Sequence, residues 1–213
     1  MMDARLSPIV SHSLIPVVVI DDAYSAPGLA DALVAGGLPV AEVTFRTPAA
    51  AEAIARMATN PDIILGAGTV HTAEQVDRAV EAGATYIVSA GLSPAVVRRA
   101  QELGVAVLPG IATATEIVTA LDLGLDAVKF FPAETSGGVP AIKALAAPFP
   151  DLTFVPTGGI GPKNIADYLA VPAIPACGGS WMCPRDAVKA GDFATIERLC
   201  REAVELVTSL KGA

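Results

Sequence analysis

The chain has 213 residues, enough for one domain to bury a full core. Its formal net charge is −8 with a sequence pI near 4.7 and no basic stripe, which disfavours nucleic acid or an anionic membrane surface as a partner. Hydrophobic residues make up 53% of it, yet the longest apolar runs, 15–20 and 127–131, are far too brief to span a bilayer.

Near the amino terminus, Arg5 is followed by Pro8, His12 and Pro16, which break up any apolar signal segment, and then by Asp21 and Asp22. No signal peptide is expected. A first strand is predicted over 15–20 and a helix over 27–36. A second strand, 40–46, leads to a helix over 48–58 opened by Thr47-Pro48, a hydroxyl N-cap ahead of a proline at the first helical position. The third strand, 63–66, runs into Gly66-Ala67-Gly68-Thr69, and Thr72-x-x-Gln75 reads as a capping box for a helix over 73–82.

Strand 86–89 precedes a helix over 94–103 started by Ser93-Pro94. Strand 106–109 precedes a helix over 114–123 with a second capping box, Thr113-x-x-Glu116. Strand 127–131, helix 139–147, strand 153–156, helix 162–169, strand 174–177 and helix 193–210 complete the series. Gly36, Gly83, Gly104 and Gly124 stand where helices end in a left-handed residue. Eight strands alternating with eight helices predict a (β/α)8 TIM barrel, class α/β. It forms one domain over 1–213 with a short N-terminal extension. A doubly wound open sheet is the competitor, but the single GxG at Gly66 does not complete a dinucleotide fingerprint. Cys177, Cys183 and Cys200 form no CxxC pair and are odd in number, so reduced thiols in a cytoplasmic protein are expected.

Alternate strand residues face the barrel interior or the helices. In 40–46, Glu42, Thr44 and Arg46 share one parity and the apolar Val43 and Phe45 the other, so the polar trio is predicted to face inward. In 127–131, Lys129 and Phe131 share a parity opposite to Val128 and Phe130. Lys143, Lys163, Lys189 and Lys211 fall on helices or loops, whereas Lys129 alone is embedded in an apolar strand. Such a lysine pairs or loses its proton. One reading is a buried salt bridge of Glu42 with Lys129 or Arg46. The other is a desolvated amine that attacks a ketone, placed near the carboxyl ends of barrel strands where such sites lie.

Glycine pairs follow the seventh and eighth predicted strands, in Thr157-Gly158-Gly159-Ile160 and Gly178-Gly179-Ser180-Trp181. Each could be a tight turn. Two in the same relative place read better as a phosphate site built from backbone N–H groups, which needs no lysine cluster in an acidic protein. Thr69 could face a substrate oxygen, though turn chemistry explains its motif equally well. Trp181 reads as a ligand stack or a packing anchor. His12 and His71 are the only histidines and no HExxH or Cys/His cluster occurs, so no zinc site is expected; carboxylates holding Mg2+ stay open.

Glu42-Val43-Thr44-Phe45-Arg46-Thr47, Gly66-Ala67-Gly68-Thr69-Val70, Lys129-Phe130-Phe131-Pro132-Ala133-Glu134, Pro156-Thr157-Gly158-Gly159-Ile160 and Gly178-Gly179-Ser180-Trp181 together resemble the 2-keto-3-deoxy-6-phosphogluconate (KDPG) and 4-hydroxy-2-oxoglutarate (KHG) aldolases. The likeness runs from about residue 15 to 206, in order. It implies a Schiff base between Lys129 and the C2 ketone, with Glu42 as general acid/base. It gives Arg46 and Thr69 the substrate carboxylate, Phe131 the pyruvyl portion, and Gly158, Gly159, Gly179 and Ser180, beside Thr157, the phosphate. The implied products are pyruvate and glyceraldehyde 3-phosphate, as in the Entner–Doudoroff pathway, with no cofactor or metal and a homotrimeric assembly. One departure stands out: Ser89-Ala90-Gly91 replaces the family's usual Ser-Pro-Gly, removing a rigid ring near the expected pyruvyl pocket. The galactonate epimer of the substrate, a phosphosugar isomerase or epimerase using Glu42 without a covalent lysine, and a non-catalytic phosphometabolite-binding barrel are the alternatives.

Overall fold

The predicted short aliphatic runs form parallel strands in a computed structural model that describes residues 3–211. In chain order they are β1 (Leu14–Val18), β2 (Val40–Thr44), β3 (Ile64–Gly68), β4 (Tyr86–Val88), β5 (Ala106–Leu108), β6 (Gly110–Ile111), β7 (Ala127–Phe130), β8 (Thr153–Pro156) and β9 (Cys177–Gly179). The helices are α1 (Ser7–Val10), α2 (Ala26–Ala35), α3 (Ala50–Met57), α4 (Ala73–Glu81), α5 (Pro94–Glu102), α6 (Ala114–Asp122), α7 (Gly138–Ala146), α8 (Ile165–Leu169), α9 (Arg185–Ala190) and α10 (Phe193–Lys211).

One ladder runs β5-β4-β3-β2-β1-β9 and a second runs β6-β7-β8. They meet at two points. Pro109, between β5 and β6, has no N–H and interrupts the ladder, while its carbonyl still accepts from the Lys129 N–H at 2.9 Å. A parallel bridge between Thr157 and Gly178 joins the β8 side to β9. The ring therefore closes with eight strand positions, one of them split, as the sequence predicts for a (β/α)8 barrel. Phe130 and Phe154, fully buried, are core residues; burying such a side chain contributes about 1.5–3 kcal/mol. Leu6, Ile9 and Val10 bury the N-terminal segment, and the Asp3 N–H donates to Asp126 just ahead of β7 at 3.1 Å. That segment thus lies at the amino-terminal end of the strands. No helix among the described residues is long and apolar enough to cross a membrane.

Several local expectations change. β2 stops at Thr44, two residues short, and β3 continues through both glycines of Gly66-Ala67-Gly68. The last strand is shifted to Cys177–Gly179 because Ile174 closes a turn onto the Val171 carbonyl at 2.9 Å. Thr47 does not cap α3; its hydroxyl donates to the Ile20 carbonyl, and the helix begins at Ala50. Thr113 and Glu116 form the complete capping box. Thr72 caps α4, but Gln75 takes the His71 N–H instead of the Thr72 N–H. Gly37, not Gly36, adopts the left-handed turn after α2 (φ +77°). The short helix α9 is absent from the sequence prediction, although Pro184 before it and the left-handed Gly191 after it mark its ends.

Candidate active site

Residues paired across a parallel ladder point to the same side of the sheet. Glu42 pairs with Val17 and Gly66, and Gly66 with Tyr86. Lys129 pairs with Gly110 and Val155 on the other side of the ring. The two charged side chains meet inside the barrel, where Lys129 Nζ donates to Glu42 Oε1 at 3.0 Å and to Oε2 at 3.3 Å. Lys129 is 6% exposed and Glu42 3%. The salt bridge that the sequence left open is therefore present, between Glu42 and Lys129 and not Arg46. Desolvating two ions costs several kcal/mol each, so a pair buried this deeply stabilises poorly compared with apolar packing. Its contact is also what a lysine nucleophile needs: a carboxylate within hydrogen-bond reach that can take the ammonium proton.

The glycines of β3 explain how this pair fits. A Cβ on Gly68 would collide with the Glu42 carboxylate, standing 2.5 Å from Cγ. One on Gly66 would stand 2.5 Å from Cδ2 of the Tyr86 ring. The motif read as a turn is thus a strand stripped of side chains where Glu42 and Tyr86 need the space. Sequence reading missed Tyr86, which is fully buried with a hydroxyl that has no partner. Burial first, and then the Glu42 charge, push its phenol well above the ordinary value, so it stays a neutral phenol.

Phe131, one residue past β7, brings its ring centroid to 5.3 Å from Lys129 Nζ. It opens onto a cavity of about 340 Å³ whose lining includes Arg46, Thr157, Gly158, Gly159, Gly179 and Ser180. Gly158 (φ +107°) and Gly159 (φ +78°) take left-handed conformations that only glycine adopts at no steric cost. Gly178 and Gly179 lie within β9 and not in a loop after it. Gly179 makes room for the half-buried Trp181 ring, which packs over it.

Arg46 departs from the parity argument, and Thr69, named from its motif, stands apart from the cavity wall. Arg46 is exposed, because β2 ends before it and the chain turns; it stands at the cavity wall and not in the interior. Thr69 lies outside the cavity lining, half-buried just beyond Gly68, with φ +59°. That angle is strained for a β-branched residue, and strain of this kind concentrates at functional sites. Val17, Val19, Cys183, Pro184 and Arg185 complete the wall with Ile160, and the sequence reading gave none of them a role in the site. Cys183 is no rival nucleophile: its hydrogen bond with Cys200, together with burial, pushes the thiol well above its usual range. Among the described residues no group of three or more His, Cys, Asp or Glu comes together, so no residue is assigned as a metal ligand. The Ser89-Ala90-Gly91 turn is closed by the Ser89 hydroxyl on the Gly91 carbonyl at 2.8 Å. The Ala90 carbonyl presses on Gly110, where no Cβ would fit.

The family described as "KDPG and KHG aldolase" matches residues 7–199. The chain belongs to the KDPG and KHG aldolases. It is 47% identical over 195 residues to the 2-dehydro-3-deoxy-phosphogluconate aldolase of Haemophilus influenzae, covering 91% of this chain and 92% of that protein. The crystal structure of the Zymomonas mobilis ZM4 KDPG aldolase with 3-phosphoglycerate superposes with a TM-score of 0.89. It has 46% identity and covers 96% of each chain. The Legionella pneumophila KDPG aldolase, with pyruvate captured as a covalent carbinolamine, also gives a TM-score of 0.89. Its identity is 39%, covering 94% of this chain and 98% of that one. This KDPG and KHG aldolase shares with those proteins the whole barrel and not a local motif.

Proposed function

We propose that the chain is a class I Schiff-base aldolase that cleaves 2-keto-3-deoxy-6-phosphogluconate to pyruvate and glyceraldehyde 3-phosphate, with 4-hydroxy-2-oxoglutarate as a second substrate. The observation that carries this reading is the buried contact of Lys129 with Glu42 beside a glycine-walled cavity, in a barrel of this family. Glu42 takes a proton from Lys129, and the free amine adds to the C2 ketone to give a carbinolamine. Glu42 returns a proton as water leaves, forming the iminium. It then accepts the C4 hydroxyl proton while the C3–C4 bond breaks and its electron pair moves into an enamine, releasing the aldehyde. Protonation of the enamine at C3 and hydrolysis free pyruvate and restore Lys129.

Arg46, at the cavity wall, suits the planar carboxylate through its guanidinium fork. Thr69 is assigned beside it, and Phe131 packs on the pyruvyl portion. Thr157, Gly158, Gly159, Gly179 and Ser180 are assigned to the phosphate. The isomerase reading leaves the buried lysine without a task, and the galactonate reading is disfavoured by relatives that carry the gluconate name. The working form is read as a cytoplasmic homotrimer of one barrel domain per chain, on the family resemblance. Borohydride reduction in the presence of pyruvate should leave a stable adduct on Lys129, located by peptide mass spectrometry. No adduct there, or no pyruvate released in a lactate-dehydrogenase-coupled assay, defeats the proposal.

A further inference from the structure

A net charge of −8 repels a phosphorylated acid, so each cation at the cavity has weight. Two guanidinium groups line the wall, Arg46 and Arg185. Arg46 is taken up by the reading above; Arg185 is not. It is the first residue of α9, and it lines the same cavity as Gly158, Gly159, Gly179 and Ser180. Its side chain reaches to Asp21, beyond the end of β1. Nε donates to Oδ2 at 2.8 Å and Nη2 to Oδ1 at 2.6 Å, a two-point fork. Because β1 and β9 are paired neighbours, this contact ties together the segments that follow two adjacent strands.

We propose that Arg185 recognises the substrate's phosphate, with Asp21 orienting its guanidinium at the cavity wall. This deepens the aldolase reading and rests on it. Three observations support the assignment. The Arg185 side chain is 61% exposed and that of Asp21 35%, so the pair adds little to the fold and can be shared with a ligand oxyanion at small cost. The fork geometry that grips a carboxylate at two points also fits phosphate oxygens. Asp21 remains ionised and holds the fork through the neutral range, since its hydrogen bond with Arg185 keeps the carboxyl below the usual carboxylate value and Lys189 adds to this. The glycine loops approach a phosphate through backbone N–H groups, whereas Arg185 adds charge-assisted N–H donors that favour a dianion over a hydroxyl.

The test compares kcat and KM on 2-keto-3-deoxy-6-phosphogluconate and on its non-phosphorylated counterpart, for the full chain and three variants. Arg185→Ala should raise KM for the phosphorylated substrate by about 10–100-fold, the range for losing charge-assisted hydrogen bonds, and collapse the preference for it. Arg185→Lys, a point charge without a fork, should fall between. Asp21→Asn should keep most of the preference, because an amide oxygen still orients the guanidinium. Pyruvate with borohydride should label Lys129 of Arg185→Ala as in the parent, since pyruvate has no phosphate; a loss there would mean a disturbed barrel and overturn the assignment. A preference that survives Arg185→Ala overturns it too, as does Asp21→Asn losing the preference as fully as Arg185→Ala, which marks a structural strap. If the parent itself shows no preference for the phosphorylated substrate, the reading of the cavity fails instead.

Discussion

Two of the molecule's ion pairs are opposite in character. Lys129 and Glu42 meet inside the barrel, nearly sealed from water, whereas Arg185 and Asp21 meet at the rim in open solvent. Breaking a buried pair leaves an uncompensated charge in a poorly solvated place, while breaking an exposed pair returns two ions to water. A buried pair is therefore kept at a cost, and its presence asks for a chemical reason. An exposed pair costs little either way, so its guanidinium can be shared with a ligand when one arrives.

The comparison breaks most clearly at Lys129. Lys129→Ala should abolish pyruvate release in the coupled assay and lower stability by about 3–5 kcal/mol in denaturant unfolding, because Glu42 is left buried and unpaired. The double variant Lys129→Met with Glu42→Leu should be equally inactive yet as stable as the parent or up to about 4 kcal/mol more so. A double variant as unstable as the single one would show that the pair serves the fold. Glu42→Gln keeps the shape but loses the proton acceptor, and kcat should fall by about 10²–10⁴-fold.

Gly68→Ala should act through the same pair without touching its chemistry. The new methyl collides with the Glu42 carboxylate, and a displacement of about an ångström is worth on the order of 10²-fold in kcat. Tyr86→Phe removes a buried hydroxyl that has no partner, so unfolding should show stability unchanged or raised by about 1 kcal/mol. The smallest effect belongs to the rim. Asp21→Asn should leave the melting temperature at neutral pH where it was, and a fall comparable to that of Lys129→Ala would erase the distinction drawn between the two pairs.

Local rules read well wherever neighbours in sequence decide the outcome. Strand parity alone put Glu42, Thr44 and Lys129 on the inward face, because alternation in an extended chain is set by the backbone, and Lys129 meets Glu42 across the barrel on that face. The same parity failed for Arg46, since alternation ends where the strand ends, and β2 stops at Thr44. Glycines were harder. Gly66, Gly68 and Gly179 look in sequence like turn residues, but each is a gap for a side chain: Tyr86 twenty residues on, Glu42 on the neighbouring strand, and Trp181 two residues on. A missing side chain declares nothing about what fills its place.

By itself, then, the sequence determined the alternation of strands and helices, the inward face of each chemical strand, and the family to which the order of motifs belongs. These follow from periodicity and capping, which act over a few residues, and from motif strings long enough to be specific. Only the tertiary structure decided that Lys129 finds Glu42, 87 positions away, and that Arg185 shares a wall with glycines from another strand. Closing the ring sets those distances, because the stagger of strands around a barrel is a property of all of them together and not of any one segment.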